Sequence, residues 1–181
     1  IDPGGDEEKI FSSVSREGAR PVMVALTHGH LDHVGATAVV ARHYGIPVIG
    51  PHPDDSFWID ALQQQVQMFG FPPVEDFTPD RWLQAGDRLE YGDQVLEVLH
   101  CPGHTPGHLV FYQPVEKIAF VGDVIFRGSI GRTDFPKGNH QQLLEAIRSQ
   151  IFTLDADVVL VPGHGPNTSV GDEKASNPFV R

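Results

Sequence analysis

The feature that most restricts this chain is a set of four loops, each placed behind a short apolar run and each carrying histidine or aspartate. They are residues 27–33, 100–108, 122–123 and 162–166. Glycine and proline punctuate them and set an irregular backbone, as is needed to hold a side chain rigidly. Seven of the ten histidines flank these strand ends. The chain is therefore expected to be rich in short strands, with its polar chemistry gathered at their ends.

The first loop reads Thr27-His28-Gly29-His30-Leu31-Asp32-His33. At this composition His-x-His-x-Asp-His arises by chance in roughly one chain in 400, which weighs against a polar turn whose imidazoles cluster by accident. His28 and His30, two apart, project to one side of an extended stretch, while Asp32 and His33 are carried round the turn. One loop can thus offer nitrogens to one metal and an oxygen–nitrogen pair to a second. In His100-Cys101-Pro102-Gly103-His104-Thr105-Pro106-Gly107-His108, His104 sits mid-loop where it can reach inward. His100 and His108 lie at strand ends, which favours core roles or roles behind a ligand. Cys101 reads better as a buried structural thiol than as a zinc ligand. Asp123, inside the apolar run Phe120-Val121-Gly122-Asp123-Val124-Ile125-Phe126, needs a cation or donors to offset its desolvation. It reads as a metal-bridging carboxylate or, less well, as a hydrogen-bonded turn residue. The last loop, Pro162-Gly163-His164-Gly165-Pro166, again has a histidine at its tip.

Between these loops the pattern predicts helices over 6–18, 36–44, 56–69 and 139–152, and strands over 22–27, 46–49, 95–100, 109–112, 118–121 and 158–161. Helix–strand units come first and a strand-rich stretch follows, which suggests a layered domain with helices outside paired sheets. The 181 residues suit one domain. The net charge of −11 argues against a nucleic-acid backbone or an anionic membrane as main partner. No apolar run reaches membrane-spanning length. The single cysteine excludes an intrachain disulfide and fits a reducing compartment, so the cytoplasm is the expected location. The opening Ile1-Asp2-Pro3-Gly4-Gly5 reads as the end of a strand running into a turn, and earlier residues are expected to be missing.

His-x-His-x-Asp-His, then Pro-Gly-His-Thr-Pro-Gly-His, then Gly-Asp and Gly-His-Gly, in this order, resemble the metallo-β-lactamase superfamily. The segment Phe126-Arg127-Gly128-Ser129-Ile130-Gly131-Arg132-Thr133-Asp134-Phe135 is similar to one in the glyoxalase II hydrolases. Pro47-Val48-Ile49-Gly50-Pro51, Asp80-Arg81-Trp82-Leu83 and Asn177-Pro178-Phe179 resemble the short, single-domain YcbL-like bacterial branch. The resemblance runs over nearly the whole chain.

It implies an α+β fold, the four-layer αββα sandwich, as a single domain over 1–181 whose N-terminal strands are missing here. It implies two divalent ions, zinc first and iron or manganese next: His28, His30 and His104 on one, Asp32, His33 and His164 on the other, and Asp123 between them. Asp2 is implied as a partner holding a ligand histidine, or equally as a turn-former; His108 is given a similar supporting place. The implied reaction is hydrolysis of a glutathione thioester, S-lactoylglutathione to D-lactate and glutathione, with Asp32 and Asp123 as catalytic carboxylates. The two-domain members carry a C-terminal helical domain with basic residues for glutathione, and this chain is not expected to have it. Arg181 is nearly its only late cation. Anion contacts would then fall to Arg132, Lys137 or Arg127, with surface pairing the plainer role for the last two and a loop brace through Asp134 the alternative for Arg132.

Three rivals stand beside this reading: a metallo-hydrolase of another ester, lactone or thioester, a one-iron persulfide dioxygenase, and a non-catalytic metal-binding protein. The expected partner is a small-molecule thioester, with no nucleic acid and no membrane; oligomeric state is not legible.

Overall fold

The β-branched run behind Pro21 is too short for a helix, and in the computed structural model it is a strand, β1 (Val24–Ala25). The structure describes residues 1–180, so Arg181 lies outside it. The chain divides into two units, Ile1–Trp82 and a second beginning at Leu83.

In the first unit, α1 (Glu7–Glu17) and α3 (Thr37–Tyr44) both stop at glycines in the left-handed region, Gly18 and Gly45. Strand β1 pairs in parallel with β2 (Val48–Ile49). The stretch after β1 turns into one helical turn, α2 (Leu31–Val34), where the sequence suggested only loop; a single turn is too short to carry a periodic signal. A 3₁₀ turn (Pro53–Asp55) leads into α4 (Ser56–Asp60) and α5 (Leu62–Phe69). The sequence predicted one helix over 56–69. It breaks at Ala61, and the Trp58 carbonyl, which a continuous helix would pair with the Leu62 N–H, accepts from Gln65 Nε2 at 2.9 Å. Val24, Leu26, Leu31, Val34, Val40, Val48, Ile59 and Leu62 form the core of this unit.

The second unit is built on a six-stranded sheet of β3 (Arg88–Tyr91), β4 (Gln94–His100), β5 (Leu109–Gln113), β6 (Ile118–Gly122), β9 (Val159–Pro162) and β10 (Thr168–Ser169), in the order β10-β9-β6-β5-β4-β3. A two-stranded hairpin, β7 (Ile125–Phe126) with β8 (Ser129–Ile130), stands apart from it. Helix α6 (His140–Ala146) continues as a wide π turn over Ile147–Ile151, and α7 (Val170–Ser176) follows β10. Leu109, Val110 and Phe111 of β5 are all fully buried, as befits a strand covered on both faces. The register positions the loops. Strand β5 runs antiparallel to both β4 and β6, while β6 and β9 are parallel with Gly122 opposite Pro162. The loop after β4, the end of β6 and the end of β9 therefore share one edge of the sheet. Among the described residues no helix is long and apolar enough to cross a membrane.

Candidate metal centre

The first unit contributes the loop behind β1. His28, His30 and His33 are buried there, with ring centroids 4.8 Å apart for His28 and His30 and 4.1 Å for His28 and His33. Asp32 is more exposed, and its Oδ2 lies 3.8 Å from His33 Nε2. The protons of this cluster can be placed by counting donors. Asp2 Oδ1 accepts from the Thr27 N–H at 2.7 Å; Oδ2 accepts from the Thr27 hydroxyl at 2.6 Å and from His33 Nδ1 at 3.1 Å. The Thr27 hydroxyl has one proton, and it is committed to a carboxylate that can only accept. Facing His28 Nδ1 at 3.0 Å, that hydroxyl must itself accept. Each neutral ring thus carries its proton on Nδ1 and presents a lone pair at Nε2, the form a metal requires.

In the second unit the shared sheet edge gathers the other donors. The Gly163 N–H bonds the Gly122 carbonyl at 2.9 Å, setting His164 beside Asp123. Asp123 Oδ2 lies 3.7 Å from Nε2 of His104 and 3.7 Å from Nε2 of His164. Two donors on one ion at tetrahedral geometry stand about 3.3–3.6 Å apart. A single carboxylate oxygen is therefore close to coordination spacing from two imidazoles at once, as a bridging ligand has to be. His104 Nδ1 donates to the Arg132 carbonyl at 2.7 Å, so the lone pair of the neutral ring again lies on Nε2. His108 is fully buried and its Nε2 accepts the Asp123 N–H at 3.0 Å, so it holds the backbone of that carboxylate. Gly131 packs on the same residue: a Cβ there would stand 1.9 Å from the Asp123 carbonyl oxygen. The donor set of each unit, imidazole nitrogens held from behind together with carboxylate oxygens, fits hard or borderline divalent ions.

The remaining candidates have other work. His100 Nε2 donates to the Pro106 carbonyl at 2.9 Å, closing the loop on itself. Cys101 is fully buried in the core, and burial pushes its thiol well above the ordinary range, so it is inert as a thiolate. Arg132 grips Asp134 with two bonds of 2.6 Å and lies 4.4 Å over the Phe135 ring. That guanidinium holds the Asp134 carboxyl down at about 2. Arg127 donates to the Asn167 carbonyl, and Lys137 is exposed in the left-handed region. Sequence reasoning passed over Asp55 and Gln65, two buried polar side chains against the 28–31 backbone. The available signal was Gln65 itself, in helical register with Trp58 and Leu62 on the apolar side.

Comparison with known proteins bears on both units. The family model of the metallo-beta-lactamase superfamily matches residues 1–164. The hydroxyacylglutathione hydrolase GloC of Haemophilus influenzae is 44% identical over 181 residues, covering 99% of this chain and 85% of that protein. The crystal structure of BLEG-1 B3 metallo-beta-lactamase superposes with a TM-score of 0.91 at 38% identity, over 99% of this chain and 86% of that one. TTHA1623 in a di-iron-bound form gives a TM-score of 0.91 at 37% identity, over 99% and 87%.

Proposed function

The chain belongs to the metallo-β-lactamase superfamily and shares its α+β fold, and on that footing we propose that this metallo-hydrolase cleaves a glutathione thioester. Members of the superfamily bind divalent metal ions, often two. In this reading His28, His30 and His104 would hold one ion and Asp32, His33 and His164 the other, with Asp123 as the carboxylate common to both. Zinc suits the donors, and the di-iron form of TTHA1623 supports iron as the alternative.

When bound, two such ions supply an acidified water as nucleophile and an electrophile for a carbonyl oxygen. The chain's own contribution is orientation. Asp2 and Thr27 hold His28 and His33 by their Nδ1 atoms, and the Arg132 carbonyl does the same for His104. His108 and Gly131 set the backbone of Asp123. In this reading Asp32 would orient the attacking water as well as bind metal. A thiolate is a good leaving group, so thioester cleavage needs no strong general acid, and no separate one has to be found.

The 44% identity to a hydroxyacylglutathione hydrolase over nearly the whole chain carries the choice of substrate, S-lactoylglutathione giving D-lactate and glutathione. The likeness to BLEG-1 supports hydrolysis of another acyl bond as the second reading. Metal analysis and turnover on one purified sample test both. Two metals per chain with rapid hydrolysis of S-lactoylglutathione is the expected result. Two metals with no thioester turnover but cleavage of another ester or lactam would transfer the case to the second reading. One iron with oxygen uptake on glutathione persulfide would overturn both.

A further inference from the structure

The peptide groups around His30 are held by side chains from a different part of the chain. Asp55, fully buried at the end of the 3₁₀ turn, accepts the Gly29 N–H at 3.0 Å. Gln65, 3% exposed on α5, turns its amide to the same backbone. Its Oε1 accepts the Leu31 N–H at 3.0 Å, and its Nε2 donates to the Gly29 carbonyl at 3.1 Å and to the Trp58 carbonyl at 2.9 Å. Both protons of the Gln65 amide are thus placed, and the amide bridges the peptide planes on the two sides of the His30 Cα. The second of those planes is also held through the His30 carbonyl, which accepts from His33 N–H at 3.0 Å and Val34 N–H at 3.2 Å. With φ −73° and ψ 144° so determined, the direction of the His30 side chain is set, and the Trp58 ring packs edge-on against the imidazole with centroids 4.5 Å apart.

We infer that Gln65, assisted by Asp55, is a positioning residue that aims His30 at the metal. The inference rests on the dinuclear reading above. A hydrogen-bonded brace of this kind acts through geometry: its loss lets the donor swing before the ion can be held, so it is felt in metal retention as well as in folding. The break at Ala61 belongs to the same device, because it releases the Trp58 carbonyl to Gln65.

The test compares the full-length wild type with Gln65→Met, which keeps the length of the side chain and removes all three bonds. Zinc affinity is read by competition with a chromogenic chelator, the ligand field by the visible spectrum of the cobalt(II)-loaded protein, and folding by thermal unfolding of the metal-free protein. The expected result is zinc affinity lowered roughly 10–100-fold with an altered cobalt spectrum. Wild-type zinc affinity and an unchanged spectrum, with only a lower unfolding midpoint, would make Gln65 a plain fold brace and overturn the inference. Should Gln65→Met not fold, Gln65→Glu, which retains the acceptor for the Leu31 N–H, is read by the same measures. A wild type that takes up no metal would overturn the dinuclear reading itself, whereas a metal-binding wild type with indifferent variants removes this inference alone.

Discussion

Replacing Asp2 with asparagine changes almost no volume and reverses a proton count. In the native network Oδ1 takes the Thr27 N–H, while Oδ2 takes the Thr27 hydroxyl and His33 Nδ1. An asparagine that keeps its oxygen on the backbone N–H turns an NH₂ towards those last two groups; the opposite orientation sets NH₂ against N–H. The Thr27 hydroxyl then has to accept from the amide and pass its own proton to His28 Nδ1, 3.0 Å away. His33 must likewise present an unprotonated Nδ1. Both rings are driven to the Nε2–H tautomer, so each has to switch before it can bind an ion. Loss of one such partner costs about 10–100-fold in metal affinity, or about 1.4–2.7 kcal/mol. With two histidines affected together the upper end is expected, about 100-fold. The metal-free protein should lose less stability than Asp2→Ala does, because the Thr27 N–H, the Thr27 hydroxyl and both Nδ1 atoms still have partners. Asp2→Ala differs: it leaves the fully buried Thr27 N–H without its acceptor, at roughly 1–3 kcal/mol. Zinc titration against a chelator measures the affinity, and ¹⁵N NMR of the histidine rings reports which nitrogen is protonated. Native zinc affinity in Asp2→Asn, with the tautomers reversed, would refute the link between tautomer and binding; unchanged tautomers would refute the proton placement.

Three further outcomes are expected. His104→Ala or Asp123→Ala should lose metal and hydrolysis together, checked by elemental analysis and turnover on the same sample; normal activity in either sinks the ligand assignment. Gly131→Ala puts a methyl where the Asp123 carbonyl oxygen lies 1.9 Å away, so that segment must shift, at roughly 1–3 kcal/mol of overpacking. Thermal unfolding and metal content should both fall, and wild-type values in both would refute the close approach. Arg132 holds the Asp134 carboxyl at about 2, so the contribution of this pair to its loop is complete above the ordinary carboxylate value, about 3.9, and is lost as pH falls towards about 2. A ¹³C titration of Asp134 should show that low midpoint in the wild type and a return towards about 3.9 in Arg132→Ala; the same midpoint in both would show that the guanidinium is not its cause.

Much of the fold was legible because its elements announce themselves locally. The helices at α1, α3 and α6 and the strands β4, β5, β6 and β9 lie where periodicity and glycine stops predict them. What escaped was short or paired only at a distance: β3 and β10 at the sheet edges, the β7–β8 hairpin, and the one-turn α2. Four residues on each side of β3 and β4 find each other through register, which no window along the chain contains. Helix α7 was missed as well, although Ser169 caps it by accepting from the Asp172 N–H. The buried Glu173 on α7 accepts from the nearby Thr168 hydroxyl and from the Gly128 N–H, 45 residues away, so its burial depends in part on a group distant along the chain.

The amino-acid sequence by itself determined the donor inventory, since histidine, aspartate, glycine and proline at close spacing form each ligand loop from its own residues. Tertiary structure alone decided which atom each donor offers. The proton on His28 depends on an aspartate 25 residues before Thr27, that on His104 on a carbonyl 28 residues further on, and the aim of His30 on a glutamine 34 residues beyond Leu31. A tautomer or a peptide plane is fixed by whatever acceptor packing brings against it, and that partner is set by the fold rather than by the neighbouring letters.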